Sequence, residues 1–367
     1  MKQNNRQDMK RKFLVLPLLF SSLTLCTAQT ALSTYRPGIT AEGAVYFLPK
    51  TAIRVSIQVE KSTYTPGDFS KYAMRYLRLN NVGQEPTTTY RIVGIKQTAV
   101  AVADTSKAFA VKFNPKTVAA NLALSEDGCL LAINTQPDKV ALPEPFKPAP
   151  KAKLANPRSF MSEEILAAGS TAKMAELTAA EIYDLRENRN LLIKGQADFM
   201  PSDGAQMKLM LDRLEQQETA YRRLFAGTTV CDTTEFIVTV EPNASQTQVL
   251  FRLSQKMGLV DADDLAGTPY YIKIENLNTL PPVNEEEAAK VKKKQPESGI
   301  YVNVSGRMRS TITQSDDTVV STAELPAPQF GYTELLSGDL FNKHYTTRLW
   351  LNPVTGAVDR LEAEQPK

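Results

Sequence analysis

The sequence predicts an α+β protein: two mainly antiparallel β modules with a helical hairpin between them. Three observations carry this reading. Apolar and polar residues alternate from Ala44 to Thr135 and again from about Glu235 to the C-terminal end, the period of half-buried strands. Residues 158 to 227 switch to the 3.6-residue period of amphipathic helices. A proline cluster, "ALPEPFKPAP", stands between the first β section and the helices.

The chain opens with five basic residues (Lys2, Arg6, Lys10, Arg11, Lys12), an apolar stretch from Phe13 to Leu25 and then small or polar residues. That is the order of a secretory signal peptide, expected over residues 1–28. The apolar stretch is shorter than the ~20 residues that cross a hydrocarbon core, so no membrane span is expected. Cys26 poses a choice between a lipid anchor and a residue discarded with the signal. Leu25 precedes it where a lipoprotein peptidase needs a small side chain, whereas Ala28 and Cys26 suit ordinary cleavage before Gln29. The chain is therefore read as exported and soluble, periplasmic or extracellular, in preference to lipid-anchored at Cys26.

Removing the signal takes away five basic residues and one acidic residue, which turns the formal charge of +3 into −1. A nearly neutral chain offers no electrostatic footprint for nucleic acid. Cys129 and Cys231 survive cleavage. An oxidising compartment permits a bridge between them, but their strand-like, apolar surroundings favour free thiols.

The first β domain is expected over 29–140. In "TAIRVSIQVE", Ile53, Val55, Ile57 and Val59 face one way and Arg54, Ser56, Gln58 and Glu60 the other. "TPGDFSKYAMRYLRL" reads as a helix capped by Asp68, with Phe69, Tyr72, Ala73, Tyr76 and Leu77 inward. "AVAVADTSKAFAVKF" reads as a hairpin turning near Asp104 to Lys107, and "NLALSEDGCLLAIN" as another turning at Asp127-Gly128. Residues 141–157 then form a Pro-rich linker, because Pro143, Pro145, Pro148 and Pro150 remove ladder donors and favour extended geometry.

The helical section is expected over 158–227. Thr178 with Glu181 matches a capping box, and Ile182, Leu185 and Leu192 mark an inner face ending at Gly195. The second helix, 203–226, carries Met207, Met210, Leu211, Leu214, Tyr221, Leu224 and Phe225 on one stripe and ends at Gly227. Arg189 falls where the first helix needs an inner residue, so that helix is expected to be the less buried of the two. Its outer face, with Tyr183, Arg186 and Asn190, is the candidate partner surface. The second β domain, 228–367, follows from "EFIVTVEP", "QVLFRLS", "YYIKIEN", "GIYVNVSG" and a closing hairpin around Asn352 to Gly356. The shared pattern of "FNPKTV" and "LNPVTG" is equally a recurrent turn chemistry or a faint duplication.

Catalytic chemistry finds little foothold. His344 is the only histidine, which excludes a multi-histidine metal site and leaves one candidate base for a triad. Neither G-x-S-x-G, nor a P-loop, nor G-x-G-x-x-G, nor C-x-x-C occurs, and no cofactor is expected. "STAK" at Ser170 to Lys173 has S-x-x-K spacing, but "SDG" at Ser202 lacks the asparagine of the matching motif and no K-T-G follows. Glu181 with Asp184, and Asp212 with Glu215, could share helix faces as carboxylate pairs for glycoside cleavage. "DADD" at 261–264 reads as a turn and "NEEEAAKVKKK" as a solvated helical excursion. No catalytic, cofactor or metal residue is assigned.

Taken together, "YRPGITAEGAVYFLPKTAIRVSIQVEKSTYTPGDFSKYAMRYL", the Pro-rich break, "LFAGTT" and "LWLNPVTGAVDRLE" resemble an exported Bacteroidota family, domain-of-unknown-function family 4831. The resemblance implies an envelope protein and no mechanism. It also implies periplasmic O-glycosylation at Asp-Ser/Thr sites, for which Thr233 and Thr318 are the candidates. The function expected is non-enzymatic binding or scaffolding in the cell envelope, with another envelope protein or a glycan as partner. The competing expectation is a secreted hydrolase using a carboxylate pair in an inter-domain cleft. A pocket holding two facing acids would favour the hydrolase, and an exposed apolar groove the binder.

Overall fold

Alternation that buries one face builds the longest strands. The computed structural model describes residues 39–40, 43–111, 121–139, 143–151, 153–281, 299–337, 340 and 346–364. The signal segment with Cys26, the "FNPKTV" and "NEEEAAKVKKK" stretches and His344 lie outside them.

Strand β1 (Ile39–Thr40) pairs with the start of β2 (Gly43–Thr65), and β2 pairs antiparallel with β3 (Thr87–Val111) along its length. Ile53, Val55, Ile57 and Val59 are buried, as their alternation predicts. Between β2 and β3 lie a 3-10 turn at Ser70–Tyr72 and α1 (Ala73–Leu77). Phe69, Ala73 and Leu77 are buried there, but Asp68 is not the cap; its carboxylate faces Arg158 at 3.9 Å.

The hairpin expected at Asp104 to Lys107 is absent, since β3 runs straight through. Register jumps from Phe47 opposite Ala108 to Leu48 opposite Asp104, so residues 105–107 bulge outward. Asp104 accepts bonds from the Ser106 amide at 3.1 Å and the Ser106 hydroxyl at 2.6 Å. The turn-forming chemistry is thus spent on a bulge that bends the strand. The second expected hairpin forms, with β4 (Leu122–Leu124) against β5 (Leu130–Ile133) and Gly128 at φ 79°.

After the Pro-rich stretch come a short α2 (Glu163–Leu166), α3 (Thr171–Lys194) and α4 (Gly204–Ala226). The remaining strands are β6 (Thr228–Val240), β7 (Gln246–Ser254), β8 (Gly258–Val260), β9 (Thr268–Asn276), β10 (Gly299–Gln314), β11 (Val319–Ser337), β12 (Thr346–Leu351) and β13 (Val358–Glu364). They assemble a second sheet in the order β11-β10-β9-β7-β8 and a third in the order β13-β12-β5-β4.

Strands from the two expected β domains share sheets. β6 lies along Ile53–Thr65 of β2, and β12 pairs with β5. The described residues beyond Arg36 accordingly belong to one compact unit. Prolines mark where a ladder cannot run; they carry no information about which strands later pair across them.

Two cores result. The first packs the Ile53–Val59 face of β2 against Phe251, Ile272, Met308 and Ile312. The second gathers Tyr46, Leu48, Leu130, Ile133, Val302 and Leu349. β2 and β10 serve both because each is bent by a register shift, at Phe47/Leu48 and at Val304/Gly306. At the second bend a Cβ on Gly331 would sit 1.8 Å from the Val304 carbonyl oxygen, so only glycine fits. The helices bury a separate cluster of their own.

Candidate functional site

The helical hairpin leaves several large apolar side chains uncovered, among them Ile193, Phe199, Met200 and Leu209. α3 begins at Ser170, whose hydroxyl oxygen accepts from the Lys173 amide at 3.2 Å, an N-cap that satisfies one orphan donor. The capping box expected at Thr178 is not one: Thr178 is buried mid-helix and donates to the Met174 carbonyl at 2.7 Å. The S-x-x-K spacing is thereby explained by capping. Lys173 instead pairs with Glu176 at 2.8 Å, a hydrogen bond that raises its pKa and keeps it cationic, the opposite of what a lysine base needs.

α3 ends at Gly195 with φ 70°, the left-handed cap that its glycine permits. A loop leads to Asp203, whose carboxylate accepts from the Gln206 amide at 2.7 Å and starts α4. Ala175, Ala179, Ile182, Leu185 and Leu192 are buried along almost the whole of α3. On α4 only Ala220, Tyr221, Leu224 and Phe225 are buried, while Met207, Met210, Leu211 and Leu214 are half covered. The order expected from sequence is reversed: α4, not α3, has the uncovered stripe at the hairpin's far end.

That far end carries an open groove of about 630 Å³ between the helices. Leu191 and Leu192 of α3 form one wall, Leu209, Met210 and Leu214 of α4 the other, and Ala197 and Phe199 of the loop close the tip. Phe199 is 70% exposed and Leu209 58% exposed. The polar rim holds Asn188, Gln196, Asp198, Arg213 and Gln217. Arg213 donates to Gln216 at 3.0 Å.

Of the candidate partner surface, Tyr183 is exposed but donates from its hydroxyl to the Tyr76 carbonyl at 2.8 Å. Arg186 lies 5.6 Å from the Tyr183 ring centre and binds Glu218 of α4 at 2.7 Å, and Arg189 reaches the same carboxylate at 3.3 Å. Asn190 is exposed. None of the three lines the groove. The O-glycosylation candidates differ in access. Thr318 is exposed in the β10–β11 turn, its amide bonded to Asp316 at 3.1 Å. Thr233 is half-buried within β6 opposite Glu60, beside Asp232, which pairs with Lys151 at 3.0 Å.

The acid pairs are not brought into a pocket. Asp184, Asp212 and Glu215 are exposed, Glu181 is half-buried, and none lines the groove, where Asp198 is the one carboxylate. Among the described residues the carboxyls with shifted pKa values, Glu275, Asp316 and Glu324, are all lowered by hydrogen bonds from Lys273, Thr318 and Arg309, whereas a general acid needs a raised one. "DADD" is a turn, closed by the Asp264 amide on the Asp261 carbonyl at 3.1 Å. Cys129 and Cys231 are free, the first buried and the second exposed. Among the described residues no cluster of three metal-binding side chains occurs and no helix is long and apolar enough to cross a membrane.

Phe199 and Leu209 were not distinguishable by pattern. The one signal was an aromatic in the polar loop "GQADFMPSD". The model of a family described as a domain of unknown function (DUF4831) matches residues 42–359. No curated protein and no solved structure matches the chain.

Proposed function

Because this chain belongs to the DUF4831 family, whose match runs from β2 into β13, we infer a role for the whole interleaved fold: it is an exported envelope protein that binds or scaffolds through its helical hairpin. The observation that carries the reading is the groove at the hairpin end, with exposed apolar walls and a polar rim. Soluble proteins seldom leave such patches uncovered without a partner. The signal-like N-terminal segment supports export. Cleavage before Gln29 removes Cys26, so the mature protein carries no acyl chain.

The groove favours the binder over the hydrolase, since catalysis by carboxylates needs two of them converging on one bond and the groove offers Asp198 alone. The outer face of α3 is the second candidate surface. Tyr183 and Arg186 there are already engaged with Tyr76 and Glu218, which leaves the groove the stronger one. Thr318 is the better placed O-glycan acceptor, being exposed in a turn.

The test is site-specific photo-crosslinking in the producing cells. A photoreactive residue at Leu209 or Gln217 should give a discrete adduct, and one at exposed Gln248 on β7 should give none. Equal labelling at all three positions would overturn the groove reading. Intact-mass analysis of the same preparation reads the mature terminus and any glycan.

A further inference from the structure

The apolar stripe of α4 is longer than the surface this chain buries. Met207, Met210, Leu211, Leu214, Tyr221, Leu224 and Phe225 follow one face at helical spacing, yet burial is complete only from Ala220 onward. The groove is also open: Leu209 stands in one wall and Phe199 closes the tip, and both still face solvent. A small apolar ligand seated between them would leave their outer surfaces wet. A macromolecular surface would cover both.

The same patch carries both halves of a complementary fit. It has exposed apolar side chains, Phe199 and Leu209, on the edge of a cavity of about 630 Å³ able to accept such side chains. It also carries one charge of each sign, Asp198 and Arg213, and among the described residues neither is ion-paired. A surface that contains knob, hole and both charges is complementary to itself, which is the requirement of a two-fold interface. Ile193 and Met200, at the same end of the hairpin, are exposed as well. Four large apolar side chains offer on the order of 400 Å² in all, about half of the ~800 Å² that each partner gives to a standard interface.

We propose that two copies of this chain associate through their hairpin ends, Phe199 and Leu209 of each entering the groove of the other and Asp198 of each facing Arg213 of the other. The four helices then share one core, as in an antiparallel bundle. This names the groove's partner and so rests on the binding reading above.

Sedimentation equilibrium of the full mature chain tests it. A concentration-dependent monomer–dimer equilibrium is expected. Leu209→Glu and Phe199→Glu should each shift it to monomer with unchanged circular dichroism. Asp198→Arg alone removes both symmetry-related charge pairs and should weaken association at least about tenfold, and Asp198→Arg combined with Arg213→Asp should restore it. A wild-type monomer at every soluble concentration overturns the inference, as does a dimer indifferent to both glutamate variants. If the monomer still yields a groove-specific crosslink to another protein, the binding reading stands and only the identity of the partner falls.

Discussion

Arg186 Nε lies 2.7 Å from Glu218 Oε1, joining α3 to α4 across the hairpin, while Arg189 holds the other carboxylate oxygen at 3.3 Å. The residue that breaks the apolar stripe of α3 therefore has a structural duty. Glu218 is 13% exposed, so its charge is largely withdrawn from water. Arg186→Ala should cost about 1 kcal/mol, because Arg189 continues to neutralise the carboxylate. Arg186→Ala with Arg189→Ala should cost more than the sum of the singles, since a half-buried carboxylate then has no partner. Thermal unfolding of the four variants of the cycle measures the difference.

Asn303 is the second test of packing. Its amide donates to the Pro49 carbonyl at 2.9 Å and the Thr355 carbonyl at 2.8 Å, fixing the turn between β12 and β13 onto β2. Gly356 beside it takes φ 66°, and Asn352 accepts from the amides of Val354 and Thr355. Asn303→Ala strands two buried carbonyls and should cost about 3 kcal/mol by denaturant unfolding. Asn303→Asp keeps the shape but sets a carboxylate against both carbonyls, and should be at least as damaging.

How much of this was legible varies by element. The alternation of Ile53, Val55, Ile57 and Val59 was plain because β2 buries one whole face. Asp104-Thr105-Ser106-Lys107 misled because hairpin turns and bulges use the same side chain-to-backbone bonds; only the partner strand decides between them. The start of α3 was misplaced because Thr178 can either cap a helix or bond back to Met174, as it does. The groove was invisible for a different reason. Leucines and methionines that are buried, half-buried and exposed share one sequence pattern, and the pairing of β2 with β6, which sets where α4 ends, is a long-range event.

The buried thiol gives a pH prediction. Burial pushes Cys129 from 9.0 up to about 11, and burial likewise raises Tyr46, Tyr221 and Tyr270. For such acids the unfolded chain releases its proton first, so stability is intact below pH 9 and falls as pH rises toward 11. Melting temperature should decline over that interval, less steeply in Cys129→Ala. At neutral pH a thiol reagent should modify Cys231 in the native protein and Cys129 only after unfolding.

Limited trypsin digestion should cut first after Lys151 or Lys153, in the exposed stretch between the Pro-rich run and the 3-10 turn at Pro157–Phe160. The two fragments should migrate separately on a denaturing gel and yet co-elute in native chromatography, because β2 remains paired with β6 and β5 with β12. Fragments that part without denaturant would contradict the shared sheets.

The interleaving of those sheets also orders events in time. The amide of Thr51 bonds to Gln329, 278 residues further along, and Tyr46 to Tyr301, 255 further along. Contacts of such separation close slowly, since each must overcome the entropy of a long loop. A nascent chain emerging N-terminus first thus holds the apolar face of β2 without its β6 neighbour until more than half the polypeptide has appeared, and the third sheet waits for nearly all of it. Such a chain can close its local β2–β3 ladder and its helical hairpin early, but it acquires resistance to proteases only once its last strands arrive. The fold is thus completed from its C-terminal end, by the strands that arrive last.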